Sequence, residues 1–299
     1  MFGHRADGKR LSNIDPIVQF APYIMPQRND ATNLMTEYLD YEPMAAYIRK
    51  RGKEGSKVSF MALMIAAYVR AISQYPELNR FIMNSQVFAR NQIVVSLTVL
   101  RNSKDKDVMD EALIKMKFQP DATIDEVVDE IERNLKDATD EDADNGTVDF
   151  AAKLVHMRIL VKIVVKLARL LDRYGLLPGW LYDISPFLCS MYITNIASIG
   201  MHSIYHHLYN FGNTSIFLAM GKFEKHVATG KNGVEVKNVV PLGVSMDERI
   251  CGGAGYAQGM TLFKNCLMNP EVLEKRPEKV NLEVPMKQDK PKKAKGGSK

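Results

Sequence analysis

The chain has 299 residues, 46% hydrophobic and 25% charged, with a formal net charge of +5. That is the balance of a soluble globular protein with a sizeable core, in one large domain or two small ones. Its three cysteines, Cys189, Cys251 and Cys266, are scattered with no Cys-x-x-Cys pair, which argues against a disulfide framework and a structural zinc site.

In chain order, residues 1–14 (MFGHRADGKRLSNI) hold no apolar core of signal-peptide length and read as an N-terminal arm on a cytoplasmic protein. Residues 16–26 (PIVQFAPYIMP) form an apolar run, and residues 33–43 (NLMTEYLDYEP) alternate apolar and polar after the polar break QRNDAT. Both are expected to be sheet members. Ser59 then caps a run of apolar residues at helical spacing that Pro76 stops, predicting a largely buried helix. Residues 86–100 (QVFARNQIVVSLTVL) predict two strands joined by a hairpin turn at Arg90 and Asn91. Asp121 is the expected cap of a helix over 123–138, whose acidic first turn suits the positive end of its dipole.

An acidic connector, expected to be mobile, covers 139–149 (TDEDADNGTVD). Over 154–177 an amphipathic helix is expected, with Lys162, Lys166, Arg169 and Arg173 three or four residues apart on one face and apolar residues elsewhere. Either this is a core or oligomer-interface helix whose basic stripe faces water, or it lies on an anionic membrane surface. Its charges recur too often for the roughly 20 apolar residues that a crossing needs. Two further segments, 186–200 (PFLCSMYITNIASIG) and 205–225 (YHHLYNFGNTSIFLAMGKFEK), each carry an apolar strand pattern. The most informative stretch is 239–270, where an apolar strand runs into Asp247-Glu248-Arg249-Ile250-Cys251-Gly252-Gly253. Beyond it, residues 276–299 are lysine-rich towards the end and are expected to form a disordered, solubilising basic tail, with no nucleic-acid partner implied.

Several of these segments resemble the catalytic domains of the 2-oxoacid dehydrogenase dihydrolipoyl acyltransferases and the similar chloramphenicol acetyltransferases. Those proteins carry a buried helix ending in Pro-Glu-Leu-Asn, like Pro76-Glu77-Leu78-Asn79, and a strand ending in Ser/Thr-Asn-Leu-Gly, matched by Thr194, Asn195, Ile196 and Ala197. Their active-site strand ends in Asp-His-Arg-x-x-Asp-Gly or His-His-x-x-x-Asp-Gly, matched by Asp247 to Gly253. Here Glu248 stands at the histidine and Gly252 at the second aspartate, while Asp247, Arg249 and Gly253 fit. The resemblance covers roughly Pro16 to Pro270. It implies an α/β fold of the chloramphenicol acetyltransferase type, a mixed sheet flanked by helices over 15–275, with 154–177 as an inserted basic amphipathic helix. It also implies a homotrimer, with larger assemblies open, and a coenzyme A thioester as substrate.

In that family an acceptor thiol or hydroxyl loses its proton as it attacks a thioester carbonyl, and the intermediate carries a negative oxygen. Thr194 matches the hydroxyl that stabilises that oxygen, or it is a hydrogen-bonding core residue. Glu248 acts as the base only if burial makes its carboxylate more basic than usual; otherwise it serves an ion-pair cluster with Arg249. His206 and His207, with His202 nearby, are the other candidate bases, since imidazole titrates at about 6.5. Cys251 is expected to be an inert buried thiol. Gly252-Gly253-Ala254-Gly255 lacks the Lys-Ser/Thr of a phosphate loop, and no metal-ligand spacing occurs. Two functions compete: an acyltransferase of altered mechanism, and a non-catalytic scaffold or a ligand- or membrane-binding relative that keeps only the fold.

Overall fold

The computed structural model describes residues 4–101, 110–139, 157–230 and 233–287. β1 (His4–Arg5) and β2 (Gly8–Arg10) open the chain, so the N-terminal arm is pinned into a sheet. α1 (Pro16–Ile24) follows where a strand was expected. Asp15 accepts the Ile17 and Val18 amides and Pro16 occupies the first turn, a helix start that outweighs the apolar run. The expected strand over 33–43 is β3 (Thr32–Asp40), and α2 (Tyr41–Lys53) continues from it. α3 (Phe60–Gln74) begins at Ser59, whose hydroxyl accepts the Ala62 amide at 3.1 Å, and it is buried along most of its length.

β4 (Arg80–Met83) and β5 (Gln86–Arg90) pair through a two-residue turn at Asn84 and Ser85, both at positive φ. The expected hairpin at Arg90 and Asn91 is absent. β5 joins the small sheet, in the order β1-β2-β5-β4, whereas β6 (Ile93–Arg101) enters the large one. The cause is Arg90: it is buried, hydrogen-bonded to Asn213 and stacked 4.5 Å over the Phe81 ring, an anchor rather than a turn residue.

β7 (Asp110–Phe118) pairs with β6, and α4 (Ile124–Thr139) packs against the core with Ile124, Val127, Val128 and Ile131. Its cap is Thr123 rather than Asp121, because Thr123 and Glu126 exchange hydrogen bonds at 2.9 and 3.4 Å. The acidic connector from 140 to 149, and residues 154–156 of the predicted insertion, lie outside the described residues. α5 (Arg158–Arg173) and α6 (Gly179–Ile184) precede β8 (Met191–Asn195), β9 (Ile216–Met220), β10 (Glu224–Gly230), β11 (Gly233–Asp247) and α7 (Gly253–Met268).

The large sheet runs β7-β6-β8-β9-β11-β3, with β10 on the first half of β11. Among the described residues only β6–β8 and β8–β9 are parallel, so the sheet is mixed. Alternate residues point to opposite faces. Ile93, Val95, Met191, Ile193, Leu218, Leu242, Val244 and Met246 join α3, α4 and α7 in the main core. Val94, Tyr192 and Phe217 point the other way and pack with Leu208 and Cys189 in a smaller cluster.

Residues 276–287 are not part of a loose tail. Arg276 pairs with Asp121 at 2.7 Å, Glu283 chelates Arg80, the Asn281 amide donates to Ser73 O, and Val284 is buried. Val284, Met286 and these complementary charges hold the segment down, against the expectation from lysine content. Residues 288–299 lie outside the described residues.

The segment 201–212 crosses the smaller-cluster face of the sheet in close contact with it. A Cβ on Gly243 of β11 would stand 2.0 Å from Ile204 O, and one on Gly221 would stand 2.2 Å from Ser203 N. Gly243→Ala is therefore expected to destabilise the protein by about 1–3 kcal/mol through overpacking. Urea denaturation of the variant checks this, and unchanged stability would mean that the segment lifts away without cost.

Candidate functional site

The altered motif ends β11 in a buried ion cluster. Asp247 is fully buried and accepts Arg249 Nε and Nη2, each at 2.7 Å, together with the Arg249 amide at 3.2 Å. Arg28 Nε lies 3.5 Å from the same carboxylate. The remaining Arg28 donors go to Tyr209 O, Gly212 O and Ile82 O at 2.7, 3.0 and 3.2 Å, and Arg249 Nη1 donates to Met25 O at 2.8 Å. The Tyr256 hydroxyl donates to the Asp247 carbonyl. Burial pushes the Arg28 guanidinium down to about 10, with Asp247 opposing and Arg249 reinforcing that shift.

Glu248 stays out of this cluster, so the expected alternative of pairing with Arg249 does not hold. Its amide donates to Ala31 O, and its half-buried carboxylate accepts Asn33 Nδ2 at 2.8 Å. Asn33 stands opposite Met246, a main-core residue, which puts Glu248 at the helix-covered side of the sheet end.

Thr194 lies on the other face. It shares the side of β8 that carries Tyr192, while Asn195 points to the helix side with Ile193. The register lines Thr36, Gly243, Ala219 and Thr194 in one row across β3, β11, β9 and β8. Leu34, Ser245, Phe217 and Tyr192 make the next row, about 6.6–6.8 Å away.

His206 sits over that second row. Its ring lies 3.9 Å from the Phe217 ring at an interplanar angle of 3°, and Tyr192 stacks on Phe217 at 4.8 Å from the neighbouring strand. Nδ1 donates to His207 O at 3.0 Å, so the lone pair belongs to Nε2, which accepts the Tyr209 hydroxyl at 3.5 Å. Burial lowers the His206 pKa, and the neighbouring His207 adds to that, outweighing the carbonyl contact. His207 is exposed and stacks on His206 at 4.9 Å, while His202 turns to Glu224 at 2.9 Å.

The fold thus brings Thr194 and His206 to one face and leaves Glu248 on the other. Cys251 is buried with its thiol pushed up to about 12, chiefly by burial, as an inert thiol should be. Gly253 is the first residue of α7 and has open space at its Cβ position.

The basic stripe of α5 is split. Arg169 lies 6.0 Å over the Phe211 ring and Arg173 Nε donates to Asn84 Oδ1 at 2.6 Å, whereas Lys162 and Lys166 face solvent. Ile159, Ile163 and Leu170 are also turned outward, at 78%, 57% and 51% exposure. Among the described residues no helix is long and apolar enough to cross a membrane. Arg28, Asn33 and Tyr209 were not anticipated. Arg28 sits in the polar break QRNDAT, where a break signals a loop, and only its distance in sequence from Asp247 hides the pairing.

Residues 189–274 match the family model of the 2-oxoacid dehydrogenases acyltransferase (catalytic domain). Over these residues the chain is similar to the catalytic domain of these acyltransferases. The match spans β8, with Thr194, through the altered motif to α7. No curated protein matches the chain. Among solved structures, a probable dihydrolipoamide acetyltransferase from Listeria monocytogenes 4b F2365 is 14% identical, with TM-score 0.52 over 87% of this chain and 95% of that one. A truncated catalytic core of the 2-oxoacid dehydrogenase multienzyme complex from Thermoplasma acidophilum is 14% identical, with TM-score 0.52 over 88% and 99%. A chloramphenicol acetyltransferase is 14% identical, with TM-score 0.51 over 87% and 99%. The acyltransferase-like chain therefore has the chloramphenicol acetyltransferase-type fold.

Asp247→Ala leaves Arg28 and Arg249 buried without their counter-ion. A loss of about 3–5 kcal/mol in unfolding free energy is expected from urea denaturation. A change below about 1 kcal/mol would show that water already reaches the pair.

Proposed function

We propose that the chain transfers an acyl group from a coenzyme A thioester to a thiol or hydroxyl acceptor, with Thr194 as oxyanion donor and His206 as base. The observation that carries this reading is the shared sheet face: Thr194 and the His206 ring occupy adjacent rows, and His206 is kept neutral with Nε2 as its basic nitrogen. A neutral imidazole accepts the acceptor's proton at neutral pH, and a hydroxyl donor supports the developing negative oxygen. The family match supports acyl transfer as the class of reaction. In this reading Glu248 only ties the end of β11 to Asn33, and the resemblance favours a homotrimer in which a neighbouring subunit completes the cleft.

A second reading, a non-catalytic scaffold, is favoured by the altered motif itself. The position that normally supplies the base is held by Asn33 on the opposite face from Thr194, and Asp247 and Arg249 serve as a structural clamp.

Titrating acetyl- and butyryl-coenzyme A calorimetrically and following thiol release separates the two. Thr194→Ala is expected to lower kcat by about 10²–10³-fold, His206→Ala to remove turnover, and Glu248→Gln to leave it unchanged. Because His206 titrates below the ordinary histidine value, activity should hold through neutral pH and fall only in acid, as the imidazole takes up a proton. Loss of activity in Glu248→Gln with His206→Ala unaffected would reverse the assignment. Neither heat nor turnover would leave the scaffold.

A further inference from the structure

Two clefts meet at α5, and neither is lined by Thr194, His206 or Glu248. The first, about 430 Å³, is lined by Arg28, Arg249 and Arg169 with Asn84, Ser85 and Asn210. It presents mainly donors. Asn84 Oδ1 is already occupied by Arg173, leaving its amide nitrogen free to donate, and Arg28 Nε is buried without a hydrogen bond, its ion pair with Asp247 being 3.5 Å long. Three guanidinium groups face this space, and Asp247, from behind, offsets one of them. The second cleft, about 290 Å³, is almost wholly apolar, with Val164, Leu171, Trp180, Leu181, Phe187 and Phe211 on its walls.

The partition between the two is thin. Ala168 and Phe211 line the apolar groove, their chain neighbours Arg169 and Gly212 line the arginine cleft, and the Arg169 guanidinium lies 6.0 Å from the Phe211 ring centre. Both volumes have the scale of small-molecule sites rather than of protein interfaces. We propose that these clefts together bind a monomeric single-chain amphiphile, its alkyl chain along α5 and α6 and its anionic oxygen head group on Arg169, Arg249 and Arg28. The head matches a donor-rich cationic cleft, because guanidinium groups pair with phosphate and carboxylate oxygens in fork geometry. The tail matches the groove, because burying methylenes is the groove's only source of affinity. This site stands apart from the proposed acyl-transfer face and does not depend on it.

The chain contains one tryptophan, Trp180, and it lines the groove, so its emission reports occupancy directly. Octyl, decyl and dodecyl phosphate, each below its micelle concentration, are expected to shift Trp180 emission saturably to the blue. Each added methylene should tighten binding about threefold to fourfold. Dodecanol should bind at least about tenfold more weakly than dodecyl phosphate, since it lacks charge-assisted hydrogen bonds. Arg169→Gln, at an exposed position, should erase that difference while leaving dodecanol binding and the circular dichroism spectrum unchanged. Equal binding of inorganic phosphate and dodecyl phosphate would overturn the proposal. So would equal binding of dodecanol and dodecyl phosphate, or a response only to anionic phosphatidylglycerol vesicles. A Trp180 shift that follows protein concentration without added ligand would assign the groove to a second copy of the chain and also overturn it.

Discussion

A carboxylate enclosed by two guanidinium groups holds this molecule's working end together. Asp247 ends β11, Arg249 follows it two residues later, and Arg28 reaches it from the loop before β3. Through the remaining donors of these arginines the same cluster fixes Met25 O, Tyr209 O, Gly212 O and Ile82 O. Four separate stretches of chain are thereby tied to one buried anion. An ion pair of this kind is costly to desolvate and more costly to break, so it fixes geometry more than it adds stability. It keeps the 201–212 segment seated on the sheet, and with it the ring of His206.

That seating puts an imidazole on one sheet face while the Glu248 carboxylate lies on the other. Glu248 points to the side where Asn33 waits and bonds to it there, away from the ion cluster around Asp247. His206 reaches the opposite face from a segment that arches over Gly221 and Gly243, two positions where any side chain would collide with backbone. The row of Thr36, Gly243, Ala219 and Thr194 is correspondingly small, which lets the backbone at Ile204 close on Gly243 near the aromatic stack of Phe217 and Tyr192. Burial and stacking, more than any neighbouring charge, set the environment of the one imidazole on this face.

Much of the architecture was legible because it rests on local periodicity. The alternation over 33–40 and the apolar repeat after Ser59 each encode their element within a few residues, and the strand ending at Thr194 and Asn195 was found by resemblance. What was not legible depended on partners distant in sequence. Arg90 reads as a turn residue until Asn213 and Phe81 are placed around it, and Arg28 reads as a loop charge until Asp247 is brought to it. Asp15-Pro16 was a local signal that the apolar run after it concealed. The position of His206 over Phe217 had no local signature at all, since nothing in a His-His pair says which ring will lie on the sheet.

The connection from β7 to β8 carries α4, α5 and α6 before the chain returns to lie parallel beside β6. The entropic cost of closing such a long excursion grows only with the logarithm of its length, about 0.6 kcal/mol for each doubling. A crossover of this length therefore burdens the sheet little, and α5 and α6 ride on it at small cost to the pairing of β6 with β8.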